Sequence, residues 1–127
     1  MLGSRLPERI TIESTDIVLP TDKQATLKAV VAKTTRPLGA NESYESEWVD
    51  VSTKSTLLYL VNTDADGTLK IQHSIDGEEV DYEDTISITG GTPAKDAVSI
   101  GGDFVKVIYE NGATAQTRFR LMVSAVP

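Results

Sequence analysis

No cysteine occurs among the 127 residues, so disulfides, thiolate metal sites and cysteine nucleophiles are all excluded. Histidine is nearly absent as well. His73 stands alone, which removes multi-histidine metal sites and leaves one candidate imidazole base. Aromatic residues amount to 6%, thin furnishing for a sugar-lined catalytic cleft. No apolar run approaches the ~20 residues that a bilayer span needs, so no membrane partner is expected. Residues 1–9 lack the apolar core of a signal peptide, and none is expected. Basic residues are in deficit, with 12 Lys and Arg against 19 Asp and Glu, a net charge of −7. A surface of that sign repels phosphates, so nucleic acid is not expected as a partner. Gly90-Gly91 and Gly101-Gly102 lack the Lys-Ser/Thr pair or following helix of a phosphate-cradling loop.

What is present is a globular composition, 39% hydrophobic and 24% charged, at a length that suits one domain. From residue 44 onward the hydrophobic period is two. Leu69, Ile71, His73 and Ile75 oppose Lys70, Gln72 and Ser74, the pattern of a half-buried strand. Val80, Tyr82, Ile86 and Ile88 oppose Asp81, Glu83 and Ser87. Phe119, Leu121, Val123 and Ala125 alternate with Arg118, Arg120, Met122 and Ser124. Residues 57–61 and 104–109 are apolar on both parities, apart from Lys106, and read as more deeply buried strands. Val49 and Val51 share one face of a further strand, with Trp48 and Asp50 on the other.

Turn signals fall at residues 64–67, 76–77, 90–93 and 101–103. Asn111-Gly112 reads as a tight hairpin between 104–110 and 116–125, because both residues tolerate positive φ. Upstream, Ile10, Ile12, Ile17 and Val18 precede Pro20. Residues 25–33 fit a helix by Ala and Lys content and a strand by alternation, and strand is favoured. Residues 2–8 read as an extended arm. The expectation is an all-β chain. It would be a jelly-roll-like antiparallel β-sandwich with an extended N-terminal arm. Residues 1–43 would hold the arm and first strands, and residues 44–127 the sandwich core.

Few residues are equipped for chemistry. A nucleophile–base pair needs an oriented imidazole, and His73 sits on the apolar parity of a strand, where a structural role is expected. The acids Glu78, Glu79, Asp81, Glu83 and Asp84 read as a solvated face rather than a catalytic pair. Residues 62–67, Asn-Thr-Asp-Ala-Asp-Gly, match the first half of an EF-hand loop. The position that should hold a bidentate Glu is His73, so a turn is expected and no metal is assigned. Asn41-Glu42-Ser43 is a glycosylation sequon without an export signal beside it. No catalytic residue and no cofactor is therefore assigned. Trp48, with Tyr44 beside it, is the candidate for an exposed glycan platform, although burial in the core is favoured for a large aromatic. Residues 116–126 are the candidate edge for self-association.

Residues 101–121 carry Gly101-Gly102, then Phe104-Val105-Lys106-Val107-Ile108-Tyr109, Asn111-Gly112 and Thr117-Arg118-Phe119-Arg120-Leu121. This stretch resembles the C-terminal hairpin of small β-sandwich modules in tailed-phage virion proteins. Residues 46–52 resemble their opening strand, and residues 58–77 their central hairpin. The resemblance spans about residues 44–124. It implies a non-enzymatic virion structural protein, assembled in the host cytoplasm. The favoured form is a capsid decoration (cement) protein acting as a homo-oligomer, with a trimer preferred and the major capsid protein as partner. The alternative is a head-fibre, tail-fibre or baseplate module that binds host-surface glycans. Residues 1–40 carry a net charge of +2 against −9 for the rest. The basic arm would then face the capsid, with Arg5, Arg9, Lys23, Lys28 and Arg36 as partner-binding residues.

Overall fold

The computed structural model describes residues 28–127. Within them nine strands form two antiparallel sheets. They are β1 (Ala29–Thr34), β2 (Ser43–Glu45), β3 (Val49–Asp50), β4 (Thr56–Thr63), β5 (Gly67–Ser74), β6 (Tyr82–Ile88), β7 (Ala94–Ser99), β8 (Phe104–Asn111) and β9 (Phe119–Val126). One sheet has the order β1-β9-β4-β7. The other has the order β2-β8-β5-β6, with β3 also paired to β8.

The pairings are nested around a single tight turn. β5 pairs with β6, β4 with β7, β2 and β3 with β8, and β1 with β9. The chain is thus one long antiparallel ribbon folded at residues 75–81. Rolling the ribbon up adds the two closing pairs, β4 with β9 and β5 with β8. This is the jelly-roll solution to burying one face of every strand.

The turn at 75–81 is set by side chains. The Ser74 hydroxyl accepts from the Asp76 and Gly77 amides at 3.2 and 2.9 Å. One Asp76 carboxylate oxygen accepts from the Glu78 and Glu79 amides at 2.9 and 3.1 Å, which holds its pKa below the usual carboxylate range. Gly77 takes φ +78 under the Phe104 ring, a conformation that suits glycine.

Six of the eight connections cross between sheets, and this corrects two sequence readings. Asn111-Gly112 joins β8 of one sheet to β9 of the other, so it is not a hairpin, and neither residue has positive φ. The Asn111 amide nitrogen instead donates to the Gly39 and Thr114 carbonyls at 2.8 and 2.9 Å. Residues 64–67 likewise carry the chain from β4 across to β5. The sandwich draws on both sides of residue 43, since β1 pairs with β9 and Val31, Ala32 and Leu38 join the core. Of residues 25–33, read as a strand, 25–27 lie outside the described residues, and the rest fall in or beside β1 (Ala29–Thr34). β7, Ala-Lys-Asp-Ala-Val-Ser, carries too little apolar content to register in the sequence, yet it closes one edge.

The core is built from one parity of each strand. Leu57, Tyr59 and Val61 of β4 and Phe119, Leu121, Val123 and Ala125 of β9 face Leu69 and Ile71 of β5 and Val105, Val107 and Tyr109 of β8. The Tyr109 and Phe119 rings lie 4.7 Å apart and tilted at 44°, joining the two sheets. Residues 57–61 are not buried on both faces, because Leu58 and Leu60 point outward and are half exposed. Ile75, Val80 and Tyr82 are exposed as well, since they fall in or beside the turn, where the strand parity no longer faces the core.

Gly67 is a point of close approach. A Cβ there would stand 2.5 Å from the Tyr109 hydroxyl and 2.8 Å from the Glu110 carbonyl oxygen. Gly67→Ala is therefore expected to destabilise the fold by about 1–3 kcal/mol, the usual range for overpacking. Urea unfolding should show a lower midpoint with an unchanged slope. An unchanged midpoint would mean that Tyr109 can move aside.

Candidate functional site

The lone histidine has no free ring nitrogen. His73 is 2% exposed, and its Nδ1 accepts the Gly101 amide at 3.0 Å. A backbone N–H can only donate, so Nδ1 carries no proton. The ring proton then sits on Nε2 and is donated to the Asp84 carboxylate at 2.7 Å. The imidazole is a neutral brace between β5, β6 and the loop entering β8. A shallow cleft beside it is lined by Tyr82, Asp84 and residues 97–101. Among the described residues, both ring nitrogens are engaged by Asp84 and Gly101, and no serine or threonine hydroxyl bonds the ring.

The half EF-hand at 62–67 is taken up by loop bracing. The Asp64 carboxylate accepts from the Thr117 hydroxyl and from the Thr117 and Arg118 amides at 3.1 Å. The Thr117 hydroxyl bond, with the Arg118 amide second, keeps the Asp64 carboxyl below its ordinary pKa. Asp66 accepts the Gly90 amide at 2.8 Å. The two carboxylates serve different segments. Among the described residues no three His, Cys, Asp or Glu side chains converge as a metal site.

The two outer sheet faces differ. On the five-stranded sheet the cations are matched: Lys70 lies 3.2 Å from Glu110 and 3.9 Å from Glu83, and Lys106 2.7 Å from Glu45. Trp48 stands on this side, outside the core and half-buried, with the Lys106 ammonium 5.3 Å from its ring centroid. This corrects the core assignment of Trp48. Its parity is outward, as Val49 packs inward against the core. Tyr44 also packs against the core, so the two aromatics form no shared platform.

The four-stranded sheet presents a different face. Across one row stand Lys33, Met122, Leu60 and Lys95, and across the next Val30, Ser124, Leu58 and Ala97. Lys28 joins Lys95 beside the groove over Leu58 and Leu60, and Arg120 joins Lys33 beside the groove over Leu60 and Met122. No described acid pairs with Lys28, Lys33, Lys95 or Arg120. Asp96, on the β7 edge, is the acid at the rim. An apolar stripe within cations that no described acid pairs, on a chain of net charge −7, is the candidate docking face.

The sequence-derived partner residues divide. Arg5, Arg9 and Lys23 lie outside the described residues. Lys28 is on the candidate face. Arg36 is exposed just past β1, with its amide bonded to Thr34, and lines neither groove. Lys33, Lys95 and Arg120 escaped sequence reasoning because their strands had to be placed side by side before the cations shared a face. Residues 116–126 do not form a sheet edge, since β9 lies between β1 and β4, which take both its ladders.

A family model described as "Uncharacterised protein YqxG N-terminal domain" matches residues 20–126. No curated protein matches. Seven solved chains match. Among them is the "PBSX exported protein XepA", with a TM-score of 0.66 and 22% identity over 87% of this chain. This chain spans 40% of the XepA chain. A second is a Bacillus endospore appendage from a family of disulfide-linked pili, with a TM-score of 0.49 and 18% identity over 88% of this chain and 97% of the other. A third, from work on the structure and function of CBM4, has a TM-score of 0.43 and 11% identity over 84% and 82%.

Proposed function

The chain belongs to the YqxG N-terminal domain family, and on that footing we propose that it is a non-enzymatic structural module of a phage-derived particle, most simply a capsid decoration protein. The carrying observation is the outer face of the four-stranded sheet, where Leu58, Leu60 and Met122 lie among cations that no described acid pairs. Such a face suits docking on an acidic protein surface, not a reaction. The sequence resemblance to virion β-sandwich modules supports the reading, as does the fold shared with an exported PBSX protein. The engaged ring of His73 supports the absence of a reaction.

The test is co-sedimentation of the purified chain with capsids and with tails, prepared separately from particles of the phage that encodes it. Binding to capsids, lost in Leu58→Asp/Leu60→Asp, is the expected result. Binding to tails alone would move the protein to the fibre or baseplate. No binding to either would end the virion reading.

A fibre or baseplate module that binds glycans is the second reading, and Trp48 favours it by standing outside the core. Host-surface glycans should then quench or shift Trp48 fluorescence. A flat titration removes this reading.

A further inference from the structure

β6 and β7 are the end strands of their sheets, and a cleft of about 460 Å³ opens between them. Its lining offers acceptors and no cation. Asp84 supplies the first acceptor. Its Oδ2 takes the His73 Nε2 proton, and among the described residues Oδ1 has no partner. Because the His73 ring is neutral, that bond fixes the carboxylate without cancelling its charge. β7 supplies two more. The Ala97 amide bonds to the Asp96 carboxylate rather than to β4, and the Ile100 amide bonds to the Ser55 carbonyl. In an antiparallel ladder the even residues of β7 therefore pair with β4, and the Ala97 and Ser99 carbonyls face the open edge. Tyr82 supplies an aromatic face. Its ring centroid lies 5.9 Å from that of His73, tilted at 50°, and the residue is 63% exposed. Between Lys70 and Lys95 the chain has six acids and no Lys or Arg. Lys95 itself lines the groove on the outer face of the four-stranded sheet.

We propose that this cleft binds a guanidinium group, stacked on Tyr82 and donating to Asp84 Oδ1 and to the Ala97 or Ser99 carbonyl. An anion is repelled by the acids. A neutral sugar makes no use of their negative potential. An ammonium has no plane to lay on the ring, whereas a guanidinium has both the plane and several divergent donors. A metal ion would find a single carboxylate, too few charged ligands. The group belongs either to a free small molecule or to an arginine side chain displayed by a partner protein. The inference uses neither the docking face nor the virion role, so it stands or falls without them.

Titration of the full chain with N-acetylarginine amide, followed by amide NMR, tests it. The Tyr82, Asp84 and Gly101 resonances should shift together and saturate with a Kd of about 1–10 mM, while those of Glu78 and Glu79 stay in place. Tyr82→Ala should weaken binding about two- to fivefold, and Tyr82→Phe should bind as the unaltered chain does. Asp84→Asn, which keeps an acceptor for His73 Nε2, should weaken binding at least about tenfold. Tyr82 is exposed, so its variants carry the test even if Asp84→Asn fails to fold. Glu78→Gln/Glu79→Gln removes charge outside the cleft and should leave the Kd within about twofold. Free arginine binding more tightly than the amide would assign the site to a small molecule, and the reverse order to a displayed side chain. The proposal is overturned if no saturable shift appears by ~50 mM, or if Nα-acetyl-lysine amide or a neutral sugar binds as tightly. Equal weakening by Glu78→Gln/Glu79→Gln and by Asp84→Asn also overturns it.

Discussion

Phe119→Ala is expected to cost about 3–5 kcal/mol, the usual range for truncating a buried aromatic ring. Phe119 is almost fully buried, and its ring packs on Tyr109 across the two sheets. Removing it takes away its own buried area and opens a cavity at the point where β8 and β9 face one another. The surrounding groups have little room to collapse, since they are fixed by ladders to β4 and β5. For a domain near 100 residues such a loss lowers the thermal midpoint by more than ~10 °C. Calorimetry checks it. Phe119→Leu, which keeps most of the volume, should cost clearly less. Equal losses in the two variants would mean that the ring contact matters more than the cavity.

The second large effect is alkaline. Burial, with the Asp66 charge adding to it, pushes the Tyr109 hydroxyl from the ordinary value near 10 up to about 12. The folded state therefore holds the phenolic proton more tightly than the unfolded state does. Stability from this source is fully present below pH 10 and is lost as pH rises from 10 towards 12. The full loss is on the order of 3 kcal/mol. Tyr59 adds to it in the same direction, through burial and the neighbouring Asp96. Urea midpoints measured between pH 9 and 12 should fall along this curve.

Tyr109→Phe separates the two properties of that ring. The Tyr109 hydroxyl is buried and finds no protein hydrogen-bond partner. Its removal should leave stability at neutral pH unchanged or raised by up to about 1–3 kcal/mol, the usual cost of an unmatched buried polar group. The alkaline fall should shrink to the smaller part due to Tyr59. A loss of stability at neutral pH would show that the hydroxyl has a polar partner after all.

Much of this was readable along the chain. Alternation identified the inward residues of β5 and β9, because a period of two needs no knowledge of neighbours. It could not show that Leu58 and Leu60 face outward. A run of five apolar residues looks the same whether a second layer covers its far side or not. Nor could local chemistry distinguish a hairpin from a crossing between sheets. Asn111-Gly112 has hairpin composition, yet the Asn111 side chain is spent on the Gly39 and Thr114 carbonyls. Asp64 and Asp66 look like metal ligands in sequence and act as loop braces in the fold.

The sequence by itself determined that the chain is all-β, acidic, and without thiol or multi-histidine chemistry, since those properties follow from residue types and their local period. Tertiary structure alone decided the cationic apolar face. Lys33 and Lys95 are 62 positions apart, and they share a row only because β9 and β4 lie between β1 and β7. Strand order is a non-local property, set by how the ribbon rolls up to bury its inner parity, and no window of sequence contains it.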